Sequence, residues 1–260
     1  MTPAPRTTAK LFPISRSPIM QSGAIRLFRF AGIQVYLHFS WFLVAAYQLT
    51  ARSHDYRSPI FALYEYIALF AMVLMHEFGH ALACRQTGGY ADHIVLWPLG
   101  GIAFVNPPRR PGAMLWSLAA GPLVNLALVP VFELAMLFAR NAGWIYSSPD
   151  VFRLIAIIRI INYGLLIFNM LPIYPLDGGQ ILRALLWYPL GEIRSLQIAC
   201  VVGLIGGAAL AALALFWQSI WTGVIAFFLL SRALAGWQYA KTLIRERDAA
   251  AVAPSIPSEP

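Results

Sequence analysis

Residues 71–84, AMVLMHEFGHALAC, decide how this chain is organised. The stretch lies within a long apolar run, yet it contains His76, Glu77 and His80. An ionisable side chain at the centre of a bilayer costs about 2.5–3.5 kcal/mol, even on scales derived from insertion experiments. The three polar groups therefore need an arrangement that stabilises them together.

The composition around this stretch indicates a membrane protein. Of the 260 residues, 59% are hydrophobic and 12% are charged, whereas about 25% of the residues of a soluble domain are charged. The net charge of +8 comes from basic residues scattered between apolar segments. That distribution is typical of positive-inside anchoring and argues against a nucleic-acid partner.

Six segments are long and apolar enough to cross a lipid bilayer as helices, which takes about 20 residues. They cover residues 33–51, 60–84, 113–139, 151–171, 196–216 and 219–239. The sequence thus predicts an all-α polytopic membrane protein with a six-helix domain over residues 31–240. We expect a partly disordered cytoplasmic tail over residues 1–30 and a disordered one over residues 241–260.

The basic residues of the loops and tails predict the orientation of the chain. Thirteen of them flank one side of the predicted spans and four flank the other. Because cytoplasmic loops carry the excess of Lys and Arg, we expect both termini in the cytoplasm. An even number of spans gives the same result.

Residues 88–108, GGYADHIVLWPLGGIAFVNPP, form an unusual loop. They are too apolar for an ordinary loop, and Pro98, Gly100 and Gly101 interrupt them too often for a helix. Two short extended runs predict a small membrane-associated β-hairpin. Such backbone survives at membrane depth only when it is buried in protein or lines a cavity. A hairpin lying at the interface and one lining a cavity both fit the sequence.

The sequence HEFGH at residues 76–80 is typical of a zinc site on a helix. Residues four apart share one helix face, so His76 and His80 can bind one ion while Glu77 handles a proton. Catalytic zinc takes three protein ligands and keeps one position open for water. A third ligand must therefore come from elsewhere in the chain.

Asp177 is the best candidate for the third ligand. The predicted orientation sends the second and fourth spans in the same direction, which places His76, His80 and Asp177 in one membrane layer. Prolines end the fourth span, and Gly178 permits close backbone approach, so the carboxylate can turn toward the histidines. The other formal candidates are His38, Cys84, Asp92, His93 and Glu133.

Three of these candidates are less suitable for physical reasons. The Cα atom of Cys84 lies about 12 Å along the helix axis from that of His76, far beyond a coordination bond. Glu133 belongs to the opposite end of its helix. His38 is better explained as a packed residue that bonds to Ser40 or to a backbone carbonyl.

The paired motifs resemble those of the site-2 protease family of intramembrane zinc metalloproteases. HEFGH is similar to the family's HExxH, and NMLPIYPLDGG at residues 169–179 is similar to its NxxPxPxxDG-type motif. PLGG at residues 98–101 and GPLVN at residues 121–125 also look like family elements. The similarity in order and topology extends over roughly residues 30–240, and neither a PDZ nor a CBS domain is expected.

The resemblance implies a role for each matching residue. His76, His80 and Asp177 would bind one catalytic zinc ion, and Glu77 would be the general base. Asn169 would help to position substrate or stabilise an oxyanion. The residues implied to contact substrate are Pro98, Gly100, Gly101 and Asn125.

The implied activity is zinc-dependent hydrolysis of a peptide bond within or near the transmembrane segment of a single-pass membrane protein. An anti-sigma factor, another membrane regulator or a signal-peptide remnant would fit as substrate. The implied location is a bacterial inner membrane, and the sequence does not fix the oligomeric state.

Three other functions fit the sequence less well. A metal transporter would need polar groups along the whole bilayer, whereas the chain has five histidines and its best candidate ligands share one layer. A catalytically silent member of the same fold is disfavoured by the intact Glu77. A membrane di-metal oxidase would need many more His and Glu ligands.

Overall fold

The computed structural model describes residues 23–97 and 100–252. This part of the chain is mostly helical with one small sheet, which confirms the predicted fold class. In chain order the elements are β1 (Ala24–Phe30), β2 (Ile33–His38), α1 (Ser40–Arg52), α2 (Ile60–Gln86), β3 (Tyr90–Trp97), β4 (Gly100–Asn106), α3 (Pro111–Asn141), α4 (Trp144–Ser147), α5 (Pro149–Met170), α6 (Asp177–Phe216) and α7 (Ile220–Val252).

Five of the described helices are long and apolar enough to cross a membrane, namely α2, α3, α5, α6 and α7. The first of the six predicted spans, residues 33–51, differs from the prediction. It is divided between strand β2 and helix α1, and the 13 residues of α1 are fewer than a bilayer needs.

The β2–α1 segment nevertheless runs antiparallel to α2 along most of its length. Near the C-terminal end of α2, Arg85 donates a hydrogen bond to the carbonyl of Ala31 just before β2. Near the other end of α2, Glu65 accepts a hydrogen bond from Gln48 of α1. The segment thus follows the path predicted for the first span, with a strand in place of its first helical turns.

The sequence of β2 explains why this part is a strand. Ile33, Val35 and Leu37 alternate with more polar residues, and all three are buried in the core that the sheet forms with α2. This period of two favours a half-buried strand over a helix.

The four strands form one sheet in the order β1-β2-β3-β4. The β3–β4 pair is the predicted hairpin, and its two strands are antiparallel. Strands β1 and β2 were not predicted from the sequence. Strand β2 lies parallel to β3 and antiparallel to β1, so the hairpin is the outer half of a larger sheet beside α2.

The predicted boundaries of the tails also require correction. Residues 24–30, assigned to the N-terminal tail, form β1 and pair with β2. Residues 241–252, assigned to a disordered tail, continue helix α7. The disorder predicted for residues 1–22 and 253–260 concerns parts of the chain outside the described residues.

The last two long helices form the hairpin predicted between residues 216 and 219. Helix α6 is kinked at Gly191, where the backbone has φ 79° and ψ 170°. The part of α6 after the kink packs against α7 through a core that includes Leu196, Ala199, Cys200 and Ala233. The part before the kink begins at Asp177 and leads into the site described next.

Candidate metal centre

Helix α2 supplies two imidazoles to one point inside the protein. His76 and His80 are 5% and 7% exposed, and their Nε2 atoms lie 3.1 Å apart. The two residues are about one turn apart, so their side chains project from the same helix face. The helix therefore presents two nitrogen ligands to a common position.

Helix α6 delivers a carboxylate to the same position. The Oδ2 atom of Asp177 lies 3.0 Å from Nε2 of His76 and 3.4 Å from Nε2 of His80. The chain reverses tightly between α5 and α6. The backbones approach so closely there that a Cβ atom on Gly178 would lie 2.4 Å from the carbonyl oxygen of Met170. The glycine permits the close approach that brings Asp177 to the histidines.

Helix α3 holds the other nitrogen of each imidazole. Nδ1 of His80 lies 2.8 Å from the carbonyl oxygen of Ser117, and Nδ1 of His76 lies 2.7 Å from Oδ1 of Asn125. A carbonyl oxygen can only accept, so His80 donates from Nδ1 and presents the lone pair of Nε2 to the site. Ligating histidines are commonly oriented in this way through their second nitrogen.

The three converging atoms fit a divalent cation. All three can act as acceptors, and within the described chain Oδ2 of Asp177 is buried without a hydrogen-bond donor. Either a proton on an imidazole or a cation has to lie among them, and a cation satisfies all three atoms at once. Imidazole nitrogen and carboxylate oxygen are ligands that Zn²⁺ takes at about 2.0–2.2 Å.

Gly121 leaves the space that this cluster occupies. A Cβ atom at this position of α3 would lie 2.2 Å from Nε2 of His80 and 2.8 Å from Nε2 of His76. The backbone of α3 therefore lies directly against the ligand atoms, and any other residue would displace them.

Of the two remaining residues of the predicted catalytic set, Glu77 lies on a helix that carries ligands and Asn169 lies on the neighbouring helix α5. Glu77 follows His76 on α2 and is 6% exposed. Asn169 lies in the last turn of α5, shortly before the segment that leads to Asp177, and is half-buried. The roles predicted for these two side chains, general base for Glu77 and oxyanion or substrate contact for Asn169, stay predictions.

The structure places the other formal ligand candidates elsewhere. His38 bonds to Oγ of Ser40 at 2.5 Å and stacks on Trp97, in a strand rather than in the predicted helix. His93 pairs with Asp92, Glu133 pairs with Arg159, and Cys84 lies in the core between α2 and the sheet. Within residues 23–97 and 100–252, the group with metal-binding geometry is His76, His80 and Asp177.

The predicted substrate contacts have different outcomes. Pro98 lies outside the described residues. Gly100 and Gly101 begin β4 and pair with Trp97 and Leu96 of β3. Asn125 is fully buried and bonds to His76, so the contact observed for it is with the histidine, and its contact with substrate stays a prediction.

Two residues beside the centre were not predicted from the sequence. Ser117 contributes the carbonyl that holds His80, a backbone contact that no sequence motif identifies. Asn162 of α5 is 1% exposed and hydrogen-bonded to Asn125. An asparagine inside an apolar span is itself a signal of function, and it would have pointed to Asn162.

Comparison with known proteins places this arrangement in a family. The model for Peptidase M50B-like proteins matches residues 39–172, and the model for Peptidase family M50 matches residues 146–213. The structure is similar to that of the site-2 protease from Methanocaldococcus jannaschii, with a TM-score of 0.58 and 26% sequence identity. The similarity covers 82% of this chain and 95% of that one.

Two curated relatives match shorter parts of their own length. A zinc metalloprotease of Methanocaldococcus jannaschii is 32% identical over 183 residues, which cover 69% of this chain and 50% of the relative. Stage IV sporulation protein FB of Bacillus subtilis is 29% identical over 122 residues, or 45% of this chain and 38% of the relative. This chain thus matches half or less of each of these two relatives.

The matched regions contain both motifs and the helices that bring them together. Five apolar helices and this similarity identify a multi-pass membrane protein. With two histidines from one membrane helix and an aspartate from another around a buried zinc-type site, the chain belongs to the site-2 protease family, peptidase family M50.

Proposed function

We propose that this chain is a zinc-dependent intramembrane endopeptidase that binds one catalytic ion. The observation that carries the proposal is the convergence of Nε2 of His76, Nε2 of His80 and Oδ2 of Asp177 within 3.4 Å of one another. Three protein ligands leave a fourth tetrahedral position for water or substrate, which is the pattern of catalytic rather than structural zinc. The buried Glu77 beside His76 adds a proton carrier.

Zinc bound at this site would lower the pKa of a coordinated water molecule toward about 7 and polarise a carbonyl group. Glu77 would take the proton of the attacking water and deliver it to the amine of the departing peptide. Asn169, near the end of α5, would donate a hydrogen bond from its amide to the oxygen that becomes negatively charged. Positioned proton transfer of this kind contributes about 10²–10⁴-fold to rate.

The substrate would bind in an extended form beside the sheet. A helical segment keeps its carbonyl groups in backbone hydrogen bonds, so the peptide to be cut has to unwind first. Strand β4 lies at an edge of the described sheet, and an edge strand can pair with an added peptide strand. This supports the hairpin of residues 88–108, including Gly100 and Gly101, as the part that holds the substrate.

The substrate class and location follow from the membrane setting. A site on apolar helices favours a single-pass transmembrane protein as substrate, such as an anti-sigma factor, another membrane regulator or a signal-peptide remnant. The distribution of basic residues supports an orientation with both termini in the cytoplasm, and we propose a bacterial inner membrane as the location. The C-terminal end of α2, which carries the histidines, would then face the cytoplasm.

Substitution of Glu77 by glutamine tests the proposal. We expect cleavage of a co-expressed single-pass reporter to fall by about 10²–10⁴-fold, while the purified variant remains folded and binds zinc. Glu133→Gln is the matched control, because Glu133 pairs with Arg159 on α5 and lies outside the ligand cluster. Full proteolysis by folded, zinc-loaded Glu77→Gln protein would refute the assigned role.

The same variant can identify natural substrates. Expressed in its own cell in place of the wild type, Glu77→Gln protein should accumulate uncleaved membrane proteins that co-purify with it. Proteins enriched with this variant, but not with the Glu133→Gln control, are the expected substrates. If these proteins persist uncleaved in wild-type cells as well, the protease assignment fails.

A further inference from the structure

We propose that Asn162 is a positioning residue that fixes the tautomer of His76 through Asn125. The inference rests on the proposed zinc site and goes beyond it, because the hydrogen bonds of Asn162 are made to Asn125 and not to a metal ligand. It explains why two fully buried asparagines, on α3 and α5, face each other between apolar helices. Asn125 is 0% exposed and Asn162 is 1% exposed.

A continuous chain of hydrogen bonds joins α5 to the metal centre. Nδ2 of Asn162 lies 3.0 Å from the backbone oxygen of Asn125. Nδ2 of Asn125 lies 2.9 Å from Oδ1 of Asn162. Oδ1 of Asn125 lies 2.7 Å from Nδ1 of His76.

The backbone carbonyl of Asn125 sets the donor-to-acceptor direction of this series of hydrogen bonds. A backbone carbonyl can only accept a hydrogen bond, so the amide group of Asn162 has to place its nitrogen there. Oδ1 of Asn162 then accepts from Nδ2 of Asn125. The remaining oxygen of Asn125 faces His76, whose Nδ1 must carry the proton and donate it.

This polarity decides which nitrogen of His76 can bind a metal. With the proton on Nδ1, the lone pair of Nε2 points to Nε2 of His80 and to Oδ2 of Asp177, which are 3.1 and 3.0 Å away. If the amide of Asn125 were reversed, its NH₂ group would face Nδ1 and the proton would move to Nε2. That proton would occupy the position of the ion.

The two histidines differ in how much support they need. The partner of His80 is the backbone carbonyl of Ser117, which has no alternative orientation. The partner of His76 is a side-chain amide, whose two ends are an acceptor and a donor of nearly the same shape. His76 therefore depends on a second residue to orient its partner, and Asn162 is that residue.

The test measures zinc affinity, which does not require a substrate. Full-length wild type and Asn162→Leu protein are purified in detergent, and their affinities for Zn²⁺ are compared by competition with a chelator. We expect the variant to bind zinc about 10–100-fold more weakly, the usual loss for a group that supports a metal ligand.

A second substitution separates positioning from a general effect on the fold. Asn125→Asp replaces the amide by a carboxylate, both of whose oxygens accept a hydrogen bond from Nδ1 of His76. In the Asn125→Asp/Asn162→Leu double variant, orientation no longer matters, so we expect zinc affinity to return to within a few-fold of wild type. If Asn162→Leu weakened zinc binding only through lost packing, the Asn125→Asp substitution would not restore the zinc affinity.

The outcomes are distinct. Unchanged zinc affinity in folded Asn162→Leu protein overturns the inference, and so does a loss that Asn125→Asp does not restore. If the leucine variant does not fold, Asn162→Ala replaces it with the same expectations. A wild-type chain that binds no zinc would overturn the proposed function itself, whereas zinc binding that is insensitive to Asn162 would overturn this inference alone.

Discussion

Helix α2 holds a buried polar cluster in each half, and the two are opposite in their hydrogen bonding. In the N-terminal half, Glu65 is 2% exposed and accepts hydrogen bonds from Gln48, Arg52 and Tyr56 at 2.7, 3.1 and 2.7 Å. In the C-terminal half, Oδ2 of Asp177 meets two imidazole nitrogens and, within the described chain, no donor.

The balance of donors and acceptors distinguishes a structural cluster from a metal site. Both clusters are buried in the same helix bundle, so burial of polar groups does not distinguish them. The carboxylate of Glu65 is fully supplied with donors, as buried polar groups in native proteins usually are. The second cluster has an excess of acceptors, and only a cation or a proton can balance it.

Removal of a ligand should have the largest effect and should separate the two clusters. We expect Asp177→Ala to weaken zinc binding by more than the roughly 100-fold upper range for supporting residues, and to reduce reporter cleavage below detection. The free energy of unfolding of the metal-free protein should change little, because the cluster lacks donors for this oxygen. Zinc affinity measured by chelator competition checks the prediction, and tight binding that persists would contradict it.

Removal of the other carboxylate should have the reverse effect. We expect Glu65→Ala to lower the free energy of unfolding by about 2–3 kcal/mol, because it leaves Gln48 and Tyr56 without their acceptor and leaves Arg52 with Asp55 alone. The loss is smaller than for a fully buried ion pair, since the side chain of Arg52 is 27% exposed. Zinc affinity of the folded fraction should be unchanged, and a parallel loss of zinc would show that the clusters are not independent.

Gly121 offers a smaller and more local perturbation of the metal cluster. Gly121→Ala places a methyl group against both imidazoles. We therefore expect the free energy of zinc binding to become less favourable by about 1–3 kcal/mol, the usual range for overpacking a buried position. Gly164→Ala on α5 is the matched control, because a Cβ atom there would meet nothing within 4 Å. Equal zinc affinities in the two variants would contradict the observed contact.

The three metal ligands could be predicted from the sequence because each depends on a regular feature of membrane helices. His76 and His80 are related by the helical repeat, which is local, so their common direction follows from the sequence. Asp177 is distant along the chain, and the predicted orientation of the spans was needed to place it beside them. The resemblance to a family supported the same pairing.

The parts that it did not predict depend on contacts between distant segments. The alternation of Ile33, Val35 and Leu37 was visible, but hydropathy averaged over a membrane-length window concealed it beside the apolar residues of α1. The hydrogen bond between Asn125 and His76 was not predicted, because a motif gives a residue's identity without the direction of its side chain. Its bond to His76 depends on how α3 packs against α2, which local sequence does not determine.

The smallest expected effect concerns Tyr56, which lies in the loop between α1 and α2 and donates to Oε2 of Glu65. Burial, followed by this hydrogen bond and the charge of Glu65, raises the pKa of the Tyr56 hydroxyl above its ordinary value of about 10. We expect Tyr56→Phe to lower the free energy of unfolding by about 1.5 kcal/mol near pH 7, the lower range for a hydrogen bond to a charged group.

The pH dependence of this difference follows from the direction of the shift. Because the folded state raises the pKa of Tyr56, its stabilising contribution is complete below the unfolded value of about 10 and is lost as the pH rises through the folded value. Wild type and Tyr56→Phe should therefore differ by a constant amount from pH 7 to about pH 9 and converge above it. Unfolding curves at a series of pH values test this, and a difference that grows with alkaline pH would show that Tyr56 is not held neutral by Glu65. Zinc affinity should be the same in both proteins at every pH in the series, since Tyr56 belongs to the cluster in which donors already balance acceptors.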